Sequence, residues 1–175
     1  MKLICFGQQT FEIGILLRES MFINGITTNA EIWYNWTKKD TKELEKVDKM
    51  YLEKLLEIPN STPHEGMYLE LGLVPICNII KGRRVKYLQY IVKRNPESML
   101  YKFFLKQWND PSPGYWTDQV KVDLKDLKMN LTLEEIKNMK DEKFQKIVNV
   151  KLKEYTLFCP VWVYEHTTKV KKNVT

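Results

Sequence analysis

Val74-Pro75-Ile76-Cys77-Asn78-Ile79-Ile80-Lys81-Gly82-Arg83-Arg84-Val85-Lys86-Tyr87-Leu88-Gln89-Tyr90-Ile91-Val92-Lys93-Arg94 is the stretch on which the reading of this chain turns. It opens on a proline, which a helix accepts at its start because the first N–H groups have no intrahelical partner. Apolar residues then recur at Ile76, Ile79, Ile80, Tyr87, Leu88 and Ile91, close to the 3.6-residue period of a helix with one buried face. Lys81, Arg84, Lys86, Lys93 and Arg94 fall elsewhere on the turn. Cys77 to Lys106 carries eight Lys and Arg against one acid, Glu97, a net of +7; the whole chain is +6, so the remainder sums to −1. Basicity confined to one helix and its continuation marks where a polyanion would be held.

Working back from that helix, a first helix is expected over about residues 10–34, with Phe11, Ile15, Phe22, Ile26, Ile32 and Trp33 as its apolar stripe. Gly14 and Gly25 interrupt it, each costing about 1 kcal/mol relative to alanine, so a neighbouring backbone is expected close to them. A second helix starts at Thr37 or Asp40 as cap, with Leu44, Val47, Tyr51, Leu55 and Ile58 in one stripe. Its other face mixes Lys42, Glu43, Lys46, Asp48 and Glu53 with further charges, the pattern of a solvated surface. Pro59 to Pro63 breaks the chain. Thr62 as N-cap, Pro63 at N1 and Glu65 at N3 then predict a capping box, and Gly72 suits the C′ position of the short helix that follows.

Beyond the basic helix, Asn95 is read as the cap of a helix with Met99, Leu100, Phe103, Phe104 and Trp108 on one face. Asn109-Asp110-Pro111-Ser112-Pro113-Gly114 is the strongest loop signal and the expected subdomain boundary. Trp116, Val120, Leu124 and Leu127 predict one more helix. Thr132 with Glu135 predicts a capping box, and Phe144, Ile147, Val148, Val150 and Leu152 a last helix. Only Cys159 to Tyr164 leans towards a strand. The expected fold is all-α, a helical bundle of about six to eight helices in two sub-bundles. A bundle over residues 1–109 would be followed by a C-terminal helical subdomain over 110–158 and a disordered tail over 159–175.

At 175 residues the chain is long enough to bury a core, and with 43% apolar and 12% aromatic residues it reads as globular. Cys5, Cys77 and Cys159 are odd in number and form no CxxC pair, which points to a reducing compartment and an intracellular protein, cytoplasmic or nuclear. No apolar run approaches the ~18 residues that a bilayer span needs. His64, His166 and the cysteines lack any zinc-site spacing, and no G-x-S-x-G or phosphate-cradling glycine loop occurs. Glu43, Glu45, Asp48, Glu134, Glu135, Asp141 and Glu142 all fall on helical faces beside lysines, not on the strand ends or tight turns where two-metal chemistry holds its carboxylates. No cofactor, metal site or catalytic set is expected.

That leaves the basic helix. Lys and Arg supply most non-specific nucleic-acid affinity through counterion release, and tyrosines such as Tyr87 and Tyr90 can stack on bases. The plain alternative is a solvated face whose lysine stems cover apolar surface.

Several strings, taken together, resemble the reverse transcriptase polyproteins of non-LTR, LINE-like retrotransposons. They are Gly7-Gln8-Gln9-Thr10-Phe11-Glu12-Ile13-Gly14-Ile15-Leu16-Leu17-Arg18-Glu19-Ser20, Ala30-Glu31-Ile32-Trp33-Tyr34-Asn35-Trp36-Thr37, Leu44-Glu45-Lys46-Val47-Asp48, Ser61-Thr62-Pro63-His64-Glu65 and Tyr68-Leu69-Glu70-Leu71-Gly72. Arg83-Arg84, Tyr87-Leu88-Gln89-Tyr90 and Leu131-Thr132-Leu133-Glu134-Glu135-Ile136-Lys137-Asn138-Met139 continue the series. Their order resembles the region after the polymerase core, the helical thumb and the linker that follows it, over about residues 7–157. No Asp-Asp dipeptide occurs, so the family's metal-binding aspartates are absent, and residues 159–175 do not read like the family. The resemblance implies a non-catalytic fragment of an RNA-directed DNA polymerase that contacts template–primer nucleic acid and would dock on the missing polymerase core. On that reading Lys81, Arg83, Arg84, Lys86, Lys93 and Arg94 hold phosphates of RNA or an RNA–DNA duplex, and Tyr87 and Tyr90 stack. The alternative is a helical protein–protein interaction module without nucleic-acid binding.

Overall fold

The computed structural model describes residues 11–35, 37–110, 112 and 114–158. Among them every regular element is helical and no strand occurs, as an all-α chain requires. Eight helices follow in order: α1 over 11–26, α2 Lys38–Leu56, α3 His64–Leu71, α4 Ile76–Val92, α5 Met99–Asn109, α6 Trp116–Asp126, α7 Leu133–Asn138 and α8 Asp141–Phe158. A 3₁₀ turn, Ala30–Ile32, lies between α1 and α2. The expected strand at Cys159 to Tyr164 and the tail over 159–175 lie outside the described residues.

The described residues form two compact units, 11–30 with 37–77 and 31–35 with 78–158. The division therefore falls at Cys77/Asn78, not at the 109–114 loop. The reason is a single core that draws on both sides of that loop: Val85, Leu88, Ile91 and Val92 of α4 and Phe104 of α5 join Val120 and Leu124 of α6 and Phe144, Val148 and Leu152 of α8.

In the first unit α1 is shorter than the 10–34 expected. It ends at Thr27, with Asn29 in the left-handed region at φ 57°. Arg18–Ile23 is wound as a π-helix. Ser20, Asn24 and Thr27 bond back to the carbonyls of Leu16, Ser20 and Ile23, the i−4 pattern that bends helices. A side chain, not a backbone, sits close to Gly14: a Cβ there would meet Leu55, whereas Gly25 faces open space.

Helix α2 is capped by Thr37 in a reciprocal box with Asp40. Its buried stripe, however, runs one residue off the expected one. Val47 is exposed, while Asp48 and Leu52 are fully buried. Asp48 was expected on a solvated face, but Arg18 reaches it with Nε at 2.8 Å and Nη2 at 2.5 Å, and the Tyr68 hydroxyl donates to the same carboxylate. A buried carboxylate persists only when paired in this way. Burial opposes the charge on Arg18, but Asp48 outweighs it and lifts the Arg18 pKa; burial and the Asp48 charge together push Tyr68 upward.

Helix α3 begins one residue later than expected, with Pro63 in the cap position and no side-chain cap bond, so Thr62 is not its N-cap. Gly72 ends it at φ +62°, as the C′ role demands.

In the second unit the numbering of paired residues on α4 rises as that on α6 and α8 falls. Lys81 meets Asp126 and Arg84 meets Asp123; Asn78, Lys86 and Lys93 meet Thr156, Asn149 and Asp141. Both neighbours therefore run antiparallel to α4. A Cβ at Gly82 would collide with Leu152, so the glycine admits α8 side chains against α4. Ser98, not Asn95, caps α5, and Asn95 instead accepts from the Glu97 N–H in a local turn. On α5 only Phe104 is buried; Met99 is 72% and Phe103 56% exposed, so the heavy apolar face expected there is largely open. On α8 Val150 likewise points outward, while Phe144, Val148 and Leu152 are buried. The Thr132–Glu135 capping box of α7 is present as expected.

Candidate nucleic-acid interface

Helix α4 and the turn after it carry the eight expected contact residues, and the structure divides them. Arg84 is 5% exposed. Its Nε and Nη2 both hold Asp123, at 2.6 and 3.2 Å, and Nη1 donates to the Trp33 carbonyl at 3.3 Å. An arginine so enclosed is a structural cation and not the phosphate contact expected of it. Burial lifts the Asp123 pKa, against the pull of Arg84. Lys81 is also committed inside the unit, 2.5 Å from Asp126 and 4.4 Å over the Tyr155 ring. Lys93 bonds the Met139 carbonyl at 2.7 Å and pairs with Asp141, tying the end of α4 to the start of α8. All three cations are tied within the unit, Lys93 at its surface, because α6 and α8 bring carboxylates into register with them.

Four of the expected residues do come together. Arg83, Lys86, Tyr87 and Tyr90 line one open groove of about 460 Å³, with Glu31 as a further wall. The spacing 83, 86, 87 and 90 is one face of a helix, opposite the face that buries Val85 and Leu88. Lys86 donates to the Asn149 side-chain oxygen at 2.8 Å, a neutral acceptor that leaves its positive charge uncancelled. Partial burial, and then the neighbouring charge of Arg83, lower the Lys86 pKa.

The tyrosines form a row, each ring against a neighbour. Tyr87 and Tyr90 stack with centroids 5.5 Å apart at 16°. Trp116 packs edge-on to Tyr87 at 5.8 Å, and the Arg94 guanidinium lies 4.1 Å over Tyr90. Arg94 is thus placed at the end of the aromatic row.

Glu31 was not singled out from the sequence. It comes from the 3₁₀ turn Ala30–Ile32, remote in sequence from α4, and is fixed by the Trp116 indole N–H donating to its carbonyl at 2.8 Å. Nothing in its local sequence announces this position.

Among the described residues no group of three His, Cys, Asp or Glu is placed to hold a metal ion, and no helix is long and apolar enough to cross a membrane. Cys77 is half-buried with its sulfur 3.8 Å from the Thr41 carbonyl. No family model, curated protein or solved structure matches this chain.

Proposed function

We propose that this chain is a non-catalytic nucleic-acid-contacting module that grips phosphates at the Arg83–Lys86 groove and stacks on Tyr87 and Tyr90. The observation that carries the reading is the meeting of two cations and two stacked tyrosines on one open face of α4. Arginine and lysine give sequence-independent affinity by releasing counterions, and aromatic platforms add stacking on any base. The resemblance to the thumb and linker of non-LTR reverse transcriptases is in keeping with this role. On that origin the chain is a fragment that contacts template–primer nucleic acid, RNA or an RNA–DNA duplex, without the polymerase core.

The test is binding of the purified chain to a labelled RNA–DNA duplex at low and moderate salt, with Arg83→Ala/Lys86→Ala beside it and Lys102→Ala as a control. Binding that weakens with salt, is lost in the double variant and survives in the control supports the groove. An unchanged salt slope in the double variant removes it.

A second reading has its own observation. Ile13, Leu16, Leu17 and Met21 on α1, and Met99, Leu100 and Phe103 on α5, leave apolar surface exposed. Such faces suit helical protein–protein contacts, and a folded chain that ignores nucleic acid at all salt concentrations would favour this module instead.

A further inference from the structure

Lys86 is bonded in a way that its place in the groove does not require. Its ammonium donates to the Asn149 side-chain oxygen on α8 at 2.8 Å. Lysine offers donors only, so this bond fixes the Asn149 amide with its oxygen toward Lys86 and its NH₂ group away. Asn78–Thr156 and Lys93–Asp141 bracket the pair, which places it midway along the seam of α4 and α8. Lys146 and Lys153 stand at i−3 and i+4 from Asn149, positions that lie beside it on a helix surface. Both are exposed, as Asn149 is, and among the described residues neither stands in an ion pair. Glu154 and Asp141 of the same helix are engaged by Lys151 and Lys93, and Glu142 lies one turn before Lys146 and two turns from Asn149. The charged side chains beside Asn149 are thus all cationic and come from two helices.

We infer that Lys86, Lys146, Lys153 and Asn149 form a seat for one phosphate, by which the backbone of a strand held at α4 is passed to α8. The inference rests on the reading of α4 as a nucleic-acid contact and adds a second helix to it. Phosphate oxygens take hydrogen bonds from lysine and asparagine side chains alike. A phosphodiester carries acceptors without a donor, which matches an NH₂ group set among three ammonium groups. A base edge mixes donors with acceptors and would leave its own donors unmatched here. Asn149 has two parts in the seat: its oxygen fixes the Lys86 ammonium, and its NH₂ group faces the phosphate. Partial burial lowers the Lys86 pKa, and an anion beside it favours the charged form.

The experiment uses the full chain and a labelled RNA–DNA duplex across a salt series. The variants are Lys146→Ala/Lys153→Ala, Asn149→Asp and, as a control from the opposite side of α8, Lys151→Ala. The double variant is expected to bind about tenfold more weakly at low salt. Its slope should hold, because the slope counts phosphates neutralised and Lys86 still neutralises this one. Asn149→Asp replaces the NH₂ donor by a carboxylate that pairs with Lys86. It should weaken binding at least as much and take about one contact from the slope, while its thermal melt stays at or above that of the parent. Lys151→Ala should bind as the parent does. Parent-like binding by the double variant overturns the seat and leaves the α4 groove to its own test with Arg83→Ala/Lys86→Ala. A slope that falls by about two contacts in the double variant gives α8 phosphates of its own and overturns the shared seat. An equal loss per lysine in Lys151→Ala does the same, since net charge alone would then be at work. Inorganic phosphate titrated against the chain separates a strand from a free ion: saturable phosphate binding lost in the double variant, with duplex binding unchanged, overturns the strand assignment. A folded parent chain that does not bind the duplex overturns both readings.

Discussion

Arg84 and Arg83 are adjacent in sequence and opposite in fate. Arg84 is buried on Asp123, and Arg83 lines the groove. Removing one partner of a buried pair leaves an uncompensated charge and costs about 3–5 kcal/mol, whereas replacing both by apolar groups is often close to neutral. Arg84→Ala should therefore lower the unfolding free energy, read from urea denaturation, by an amount in that range, and Arg84→Met with Asp123→Leu should recover most of it. A single variant as stable as the parent would show that the pair contributes little. Tyr68 gives a milder case in the other unit. Its hydroxyl donates to the Asp48 carboxylate that Arg18 also holds. Tyr68→Phe leaves one lone pair of a buried acceptor unfilled, at a cost of about 1–3 kcal/mol by chemical denaturation. An alanine scan read only for nucleic-acid binding would confuse the two arginines, since Arg84→Ala would lower binding through instability. A melt taken alongside separates them.

At the scale of the helices, end signals can be checked by pH. Asp40 and Glu135 sit in capping boxes where hydrogen bonds from Thr37 and Thr132 hold their pKa values below the ordinary 3.8 and 4.5. A carboxylate with a depressed folded pKa gives stability that is present above its unfolded value and is lost as pH falls through the folded one. Thermal stability should thus drop as pH is lowered below about 4.5, and Asp40→Asn with Glu135→Gln should flatten that fall; an equally steep decline in the double variant would place the acid-labile groups elsewhere. The Thr132–Glu135 box is legible because its partners lie within four residues of each other, whereas at α2 the sequence leaves Thr37 and Asp40 as alternative caps and only the structure joins them in one box. Gly72 is legible too, and period alone gives Val120, Leu124 and Leu127 as buried but not Thr117 and Asp123. The cap of α3 stands one position beyond the expected Thr62, and Ser98 caps α5 in place of the expected Asn95. Several polar residues precede each start, and which one caps is decided by where the preceding turn closes. Charge was the least readable feature. Asp48 belongs by its neighbours to a solvated row, and only Arg18, thirty residues away, makes its burial affordable. Likewise the basic run of α4 gave the groove residues Arg83, Lys86, Tyr87 and Tyr90 but could not exclude Lys81, Arg84 and Lys93, whose acids lie on α6 and α8. Pairings across such distances have no local mark.

For the whole molecule, formal charge overstates what is left for a polyanion. Of the eight cations between Cys77 and Lys106, Lys81, Arg84, Lys93 and Lys102 pair with Asp126, Asp123, Asp141 and Glu97. The salt dependence of binding reports how many phosphates are neutralised, with a slope of about −0.9 per contact on duplex DNA. If all eight cations met phosphates, the slope would approach roughly −7; with Arg83 and Lys86 as the contacts it would be roughly −2. We expect the shallower value on an RNA–DNA duplex, measured by anisotropy across a salt series. Lys81→Ala should leave that slope unchanged, because its partner is Asp126, while Arg83→Ala should reduce it by about one contact. A slope near the steep limit would mean that the internal pairs open on binding, with Asp123, Asp126 and Asp141 giving up their partners to the ligand. The stability cost of opening the buried Arg84 pair makes that outcome the unfavourable one. The slope therefore tests the fold and the interface in one measurement.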